Sequence, residues 1–181
     1  SDWFGMVSPE GYEADDLIAS VAEQANEPVI IHSSDKDLNQ CLHRGHVGII
    51  KKSEAVEADP NEHGIPMGSE VVCEHFTYED FRRKWVFPVA RWVEYQAMVG
   101  DSSDNVKGAD GVGEKKAREI LELFPDTPLE ELRFGMLCAA KILNKRQAGG
   151  WPEFIERLPT LRAVLTLETA LVVPEGLLQC S

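Results

Sequence analysis

The segment VIIHSSDKD, Val29–Asp37, joins a short apolar run to two aspartates that follow it directly. Pro28 precedes the run, and its β-branched residues predict a buried strand. The residues from Tyr12 to Ala25 carry apolar side chains at helical spacing, which predicts a helix before this strand. Ligands of open α/β sheets bind beyond the carboxyl ends of the strands, which is where Asp35 and Asp37 would lie.

Three further elements are predicted around this segment. They are a strand at Asp2–Val7, a short helix at Asp35–Leu42 and a strand at Val47–Ile50. Strands alternating with helices are typical of an α/β fold, so we expect a parallel sheet with helices on both faces.

The second half of the chain reads as helical. Glu54–Glu70 contains two prolines and two glycines and predicts a loop, and Val71–Cys73 predicts a short edge strand. Helices are expected at Glu114–Phe124, Leu129–Leu143 and Phe154–Leu171. We therefore expect an α/β region over residues 1–76 and a helical region over residues 77–181.

The charge and the cysteine content of the chain limit the classes of function to consider. The net charge of −13 argues against a nucleic-acid ligand, but 12 basic and 10 acidic residues lie between Phe81 and Arg146. Bound divalent cations can offset the acidic remainder. No apolar run of membrane-spanning length and no secretory leader is seen. The four cysteines lack CxxC spacing, so we expect free thiols in a cytoplasmic monomer.

Glu13, Asp15 and Asp16 form the first acidic cluster, at the start of the predicted helix. Acids at a helix N-terminus can simply cap the helix and complement its dipole. Asp15 and Asp16 are adjacent and flanked by apolar residues, however, and their repulsion is costly without a cation.

Asp35 and Asp37 form the second cluster, and Asp101 and Asp104 the third, within GDSSDN (Gly100–Asn105). Helix capping and an Asx turn are the alternative explanations. Oxygen ligands without His or Cys suit Mg²⁺ or Mn²⁺. Two such ions, roughly 4 Å apart, can serve phosphodiester hydrolysis.

The glycine hairpin, Val106–Ala117, joins two predicted helices. Its glycines permit close approach of backbone to a ligand, and amides before a helix can hold a phosphate. The alternative is a plain turn between helices with solvated lysines. We predict DNA contact through a set of glycine and basic residues: Gly111, Gly113, Lys115, Lys116 and Arg118.

These motifs together resemble the 5′-nuclease family, which includes flap endonucleases and the nuclease domain of bacterial DNA polymerase I. The matching stretches are GYEADD (Gly11–Asp16), SDKDL (Ser34–Leu38), GDSSDN (Gly100–Asn105) and GVGEKKA (Gly111–Ala117). The resemblance implies a PIN-like α/β domain followed by a helix-three-turn-helix (helix-hairpin-helix) DNA-binding region. It also implies Mg²⁺- or Mn²⁺-dependent 5′-3′ exonuclease or flap endonuclease activity in DNA replication and repair, on DNA with a 5′ flap or a 5′ end. A DNA polymerase is an expected partner, in a bacterial or phage-infected cell.

The resemblance implies roles for individual residues. Seven carboxylates would hold two metal ions, with Asp15, Asp16 and Asp35 closest to the chemistry: Glu13, Asp15, Asp16, Asp35, Asp37, Asp101 and Asp104. Backbone carbonyls at the hairpin would bind K⁺, as in some members of the family: Met98, Val99, Lys107, Ala109 and Val112.

One departure from the family concerns the N-terminal side. The family domain opens with an acidic strand and a basic helical arch, and neither precedes Tyr12, so we expect weakened binding of one metal and no threading of a 5′ strand. Two alternatives stay open: a non-catalytic DNA-binding fragment, and a PIN-type ribonuclease, which would not need the glycine hairpin.

Two further groups of residues are explained by structural roles rather than by binding. Cys41, His43, His46, Cys73 and His75 raise the question of zinc, but their spacing matches no common finger. Aromatic residues in the helical half are expected in the core rather than stacked on bases: Trp85, Phe87, Trp92 and Tyr95.

Overall fold

The computed structural model describes residues 6–57, 69–102 and 105–173. Its backbone divides into two compact units, Ser1–Asp80 with Thr169–Ser181, and Phe81–Glu168. Each unit has secondary structure of its own kind, a sheet with one long helix in the first and helices in the second. Among the described residues, no helix combines the length and apolar character that crossing a membrane requires.

The first unit is built on α1, Ala14–Gln24, and a three-stranded sheet. Helix α1 buries Leu17, Ala19, Ser20 and Ala22 along one face, as its apolar spacing predicted. Strands β1 (Val29–His32) and β2 (Val47–Glu57) pair in parallel. The 3₁₀ helix Asp37–Arg44 connects them and packs against both α1 and β2.

The third strand corrects the sequence prediction. Strand β3, Ser69–Phe76, pairs antiparallel with β2, so the sheet is mixed and not parallel. The segment between the two strands is too short for the crossover that a parallel neighbour requires. The predicted loop Glu54–Glu70 was also too long, since the ladder extends to the pair Glu57–Ser69. Polar residues can join a ladder because its hydrogen bonds are formed by backbone N–H and C=O groups.

The N-terminal strand prediction falls largely outside the described residues. Of Asp2–Val7, the structure describes Met6 and Val7, and neither belongs to a strand. The three strands of the described sheet follow the order β1-β2-β3.

The second unit is helical. Its helices are α2 (Tyr78–Lys84, which begins in the first unit), α3 (Trp92–Val99), α4 (Glu114–Leu123), α5 (Phe134–Ala139), α6 (Lys145–Gly149) and α7 (Trp151–Leu165). The helix expected within Leu129–Leu143 is α5, which is shorter than this range because a 3₁₀ turn at Leu129–Glu131 and the extended backbone of Arg133 precede it.

The last helix ends earlier than Phe154–Leu171 predicted, because Thr166 is extended after Leu165. The chain then returns to the first unit, where Leu171 is buried. The backbone N–H of Leu171 donates to the hydroxyl of Ser20, and its carbonyl accepts a 2.7 Å hydrogen bond from Gln24. Periodicity missed this end because Leu167 and Leu171 extend the apolar pattern.

Aromatic side chains form the centre of the second unit, as the sequence predicted. Phe81, Phe87, Trp92 and Tyr95 are buried, and neighbouring rings lie 5.0–6.5 Å apart. Trp85 is half-buried, with its ring 4.9 Å from that of Tyr95. These rings are therefore core residues.

Candidate metal centre and nucleic-acid interface

The carboxyl groups of Asp15 and Asp35 meet in the first unit, and the charge of Asp37 also acts on Asp15. Asp15 lies in the first turn of α1, and Asp35 and Asp37 follow β1. Partial burial and the neighbouring charges of Asp35, Asp37 and Glu13 raise the pKa of Asp15 from 3.8 to about 6. A hydrogen bond between the Asp15 and Asp35 carboxyl groups contributes to this rise. The first and second clusters are thus neighbours in space.

The turn after β1 fixes the position of Asp35. Its backbone N–H donates to the hydroxyl of Ser33 at 3.0 Å, and its Oδ1 accepts from the backbone N–H of Asp37 at 2.8 Å. This is an Asx turn, which is the structural role that a single aspartate can have at this position. This bond uses Oδ1 of Asp35 alone, so the turn and a ligand role are compatible.

Asp16 has a structural role as well. Its Oδ2 accepts a 3.0 Å hydrogen bond from the backbone N–H of Glu13, the residue that precedes α1. This contact belongs to a capping box, which satisfies a backbone donor at the helix start. Glu13 is exposed and Asp16 is half-buried. The capping explanation therefore accounts for these two acids but not for the raised pKa of Asp15.

The chemistry of this cluster fits a hard divalent cation. Like charges packed together are relieved by a cation, and carboxylate oxygens are the ligands that Mg²⁺ and Mn²⁺ prefer. No group of three or more His, Cys, Asp or Glu able to hold a metal is found in the described parts of the chain. Mg²⁺ commonly binds one or two carboxylates and keeps several waters, so the oxygen ligands of Asp15 and Asp35 are compatible with such an ion.

Cys41 lies close to this cluster and is buried. Burial, followed by the charges of Glu23 and Asp15, raises the pKa of its thiol to about 12. A thiol held in its protonated form is a poor metal ligand. His43, another member of the group considered for zinc, pairs instead with Glu23 at 3.0 Å. The described cysteines are free thiols, as predicted: Cys41, Cys73 and Cys138.

The third acidic cluster belongs to the second unit. Asp101 and Val106 form an isolated antiparallel bridge, with hydrogen bonds of 2.9 and 2.7 Å between their backbones. The bridge closes the loop at the end of α3, and Asn105 within it has a φ of 55°. Asp104 lies outside the described residues.

Two glycines hold the glycine hairpin against the end of α3. A Cβ added at Gly108 would lie 2.5 Å from the carbonyl oxygen of Met98 and 2.6 Å from that of Val99. A Cβ at Gly100 would lie 2.5 Å from the backbone nitrogen of Gly108. The backbone N–H of Ala109 donates to Met98 at 2.8 Å. The close approach requires glycine at both positions.

Three of the five predicted potassium ligands accept hydrogen bonds within the protein: Met98, Lys107 and Ala109. The carbonyls of Met98 and Ala109 accept hydrogen bonds from Ala109 and Val112. The carbonyl of Lys107 accepts from the guanidinium of Arg157 at 2.8 Å. Val112 is buried.

Two residues that sequence reasoning missed support the tip of the hairpin. Gln147 donates to the carbonyl of Gly111 at 3.2 Å and accepts from Nζ of Lys116 at 2.7 Å. Asn144 in turn accepts from the backbone N–H of Gln147 at 3.0 Å. Asn followed by Gln three residues later is a capping-box pattern, and that signal was available in the sequence.

The basic residues of α4 differ in their environment. Lys115 is exposed, whereas Lys116 is half-buried against Gln147 and Arg118 pairs with Glu122 at 2.6 Å. Gly113 precedes the helix in an extended conformation, and a Cβ there would meet nothing within 4 Å. Of the three predicted cations, Lys115 is the one that faces solvent without a described partner.

Comparison with known proteins shows which family of sequences the chain resembles. Residues 4–76 match the family model of the 5′-3′ exonuclease N-terminal resolvase-like domain. DNA polymerase I of Caldicellulosiruptor bescii is 30% identical over 92% of the chain and 18% of that protein. A 5′-3′ exonuclease of Mycoplasmopsis pulmonis is 31% identical over 87% of the chain and 46% of that protein. The chain thus spans less than half the length of these relatives.

Solved structures share the fold. T5 5′-exonuclease with bound divalent metal ions (zinc) has a TM-score of 0.59 and 18% identity, over 88% of this chain and 51% of that one. A T5 protein co-crystallised with metal ions has a TM-score of 0.62 over 88% of this chain and 52% of that one, again at 18% identity. At this identity the likeness concerns the fold.

Proposed function

Because this chain belongs to the 5′-nuclease family, we propose that it forms the metal- and DNA-binding part of a nuclease that hydrolyses phosphodiester bonds in 5′-ended or branched DNA. The observation that carries this proposal is the contact between the carboxyl groups of Asp15 and Asp35, with the charge of Asp37 nearby; partial burial and these neighbours raise the pKa of Asp15 to about 6. A bound cation would relieve the repulsion among these carboxylates, and Mg²⁺ or Mn²⁺ matches their oxygen ligands.

The proposed division of labour follows the two regions. Residues 1–76 form a partial PIN-like region, in which Asp15, Asp16 and Asp35 lie nearest the scissile phosphate. Two other carboxylates of this region complete the proposed ligand set, Glu13 and Asp37, and the metal roles of Asp101 and Asp104 stay predictions from the resemblance. When bound at these residues, such ions would neutralise charge at the phosphate and lower the pKa of the attacking water. The carboxylates fix their position, and no described side chain has the role of a separate general base.

Residues 77–181 form the proposed DNA-binding region, a helix-three-turn-helix motif with the glycine hairpin at its tip. Gly113 leaves the start of α4 open, so backbone amides there can meet a phosphate. Lys115 adds a mobile charge beside them. We further propose that the protein acts on DNA in the bacterial cytoplasm and works together with a DNA polymerase.

The test is a cleavage assay on flapped and blunt duplexes with a labelled 5′ strand, in Mg²⁺, Mn²⁺ or EDTA. We expect cleavage in either metal, none in EDTA, and a loss of at least 100-fold in Asp15→Asn and Asp35→Asn. Glu10→Gln is the matched control, because Glu10 is an exposed acid in the turn before α1. Undiminished cleavage by Asp15→Asn would contradict the proposal.

A second candidate is a non-catalytic DNA-binding module. It is favoured by the lack of a preformed three-ligand group in the described residues. The same assay separates the two, because such a module would retain the labelled duplex in a binding assay and leave it intact in every metal. An RNA strand of the same sequence tests the ribonuclease alternative: preferential cleavage of RNA would replace DNA as the substrate.

A further inference from the structure

The guanidinium of Arg157, on α7, lies against the backbone of the glycine hairpin. Its Nη1 donates to the carbonyl of Lys107 at 2.8 Å and its Nη2 to the carbonyl of Gly108 at 3.2 Å. One side chain thus bridges two consecutive carbonyls at the base of the hairpin. Two parallel N–H donors suit the planar guanidinium and hold it in one orientation.

The charge of Arg157 has carbonyls as its partners. Its Nε atom is shielded from solvent and has no hydrogen-bond partner in the structure. No carboxylate among the described residues forms an ion pair with it. A half-buried cation whose described partners are backbone carbonyls occupies the kind of environment that alkali-metal sites use.

The end of α3 also favours a cation at the base of the hairpin. Gly108 packs directly on the carbonyls of Met98 and Val99, which end α3 and carry the negative end of its dipole. Helix α7 also holds the hairpin through a second contact one turn earlier, where Glu153 lies 3.8 Å from Nζ of Lys107. Helix α7 therefore contacts the base of the hairpin through two side chains, Glu153 and Arg157.

We propose that the guanidinium of Arg157 is the resident cation of the glycine hairpin and takes the place of a potassium ion there. The carbonyl of Lys107, one of the five expected K⁺ ligands, is committed to it. A second positive charge beside the same carbonyls would be repelled. The hairpin consequently keeps its conformation without an alkali metal. We also expect the DNA affinity of the hairpin to be independent of K⁺, and this second expectation rests on the proposed function.

The first experiment measures thermal unfolding of the whole chain in KCl and in tetramethylammonium chloride at equal ionic strength, since the bulky cation cannot enter a carbonyl site. The wild type is expected to unfold at the same temperature in both salts. Arg157→Met is expected to unfold roughly 5 °C lower in tetramethylammonium and to recover part of the loss in K⁺ with a saturable midpoint. Arg157→Lys keeps the charge and is expected to show little response to K⁺.

Arg133→Met is the matched control, because Arg133 is exposed in the same unit and its loss should leave the salt response unchanged. A saturable K⁺ stabilisation of the wild type would overturn the proposal. So would equal unfolding temperatures of Arg157→Met in both salts. If Arg157→Met does not fold, the wild type and Arg157→Lys decide the question: saturable stabilisation of either by K⁺ would overturn the proposal, and its absence in both supports it.

The second experiment measures binding of a flapped duplex in the two salts. Wild-type affinity is expected to be equal in both, and Arg157→Met to bind about tenfold more weakly in tetramethylammonium than in K⁺. A loss of affinity that is equal in both salts, with unchanged unfolding temperature, would show that Arg157 contacts DNA and overturn the inference. Failure of the wild type to bind DNA would contradict the proposed function, while the unfolding data would still decide the role of Arg157.

Discussion

Nζ of Lys116 lies 2.7 Å from Oε1 of Gln147, so the ammonium group of Lys116 is used within the protein. Its neighbour in sequence, Lys115, is exposed. Two adjacent lysines that look equivalent in the sequence thus have different tasks. Lys116 secures the tip of the glycine hairpin to α6, and Lys115 is available to a ligand.

We therefore expect opposite results from Lys115→Gln and Lys116→Gln. Lys115→Gln should weaken duplex binding and reduce the slope of log affinity against log salt by about 1, with unchanged unfolding temperature. Lys116→Gln should destabilise the protein by about 1 kcal/mol, because it removes a charged hydrogen bond at a half-buried site. Salt titrations and urea unfolding of both variants measure the two effects. Equal salt slopes for the two variants would contradict this division.

The packing of the hairpin on α3 gives a second prediction. A Cβ at Gly108 would lie 2.5 Å from the carbonyl oxygen of Met98, and backbone atoms cannot move aside cheaply. Gly108→Ala is expected to lower the free energy of unfolding by about 3 kcal/mol, at the upper end of ordinary single substitutions. Gly113→Ala is the control, since a Cβ there meets nothing within 4 Å and the backbone is extended. Similar unfolding curves for the two variants would contradict the close contact.

These two cases show what the sequence could reveal. The pattern of glycines and lysines predicted a hairpin, but not which glycine is pressed against α3 or which lysine is bonded. Those assignments depend on α6 and α7, which approach the hairpin from 31 and about 50 residues away in the chain. The capping pattern of Asn144 and Gln147 was visible, but nothing local indicated that Gln147 would also reach Gly111.

The acidic residues show the same limit. Helical spacing and the apolar run correctly predicted α1 and β1, and the fold then brought Asp15 beside Asp35. The edge strand predicted at Val71–Cys73 lies within β3, but the length of β3 and its antiparallel pairing were missed, because polar residues at the ends of β2 and β3 are typical of a loop. Strand pairing is decided by backbone partners far apart in sequence, which local composition does not encode.

Removal of the charge on Asp15 is expected to stabilise the metal-free protein. Because folding raises the pKa of Asp15 above its unfolded value, ionisation of Asp15 lowers the free energy of unfolding. This loss of stability begins near pH 4 and is complete above about pH 6. Asp15→Asn should therefore unfold at higher temperature than the wild type at pH 8 in EDTA, and at a similar temperature below pH 4. Added Mg²⁺ should stabilise the wild type and have less effect on Asp15→Asn. Equal stabilisation of both by Mg²⁺ would argue against Asp15 as a ligand.

The ion pairs of α7 give a prediction of opposite sign. Arg162 donates to Glu130 and to the buried Glu94, and Glu94 also pairs with Arg91. The guanidinium of Arg162 lowers the pKa of Glu130, so this carboxylate stabilises the fold above its unfolded pKa of about 4.5 and the contribution is lost as the pH falls.

Glu130→Gln is therefore expected to unfold more readily than the wild type at pH 7 by about 0.5 kcal/mol, a small value because Glu130 is exposed. The difference should shrink below pH 4.5 and vanish once the wild-type carboxyl is protonated. Urea unfolding at pH 3.5, 5 and 7 measures it, with Glu131→Gln as the control, since Glu131 is an exposed neighbour. Arg162→Met removes the shared partner and leaves Glu94 buried with Arg91 alone, so it should cost about 3 kcal/mol at pH 7. A larger effect of Glu130→Gln at pH 3.5 than at pH 7 would contradict the lowered pKa.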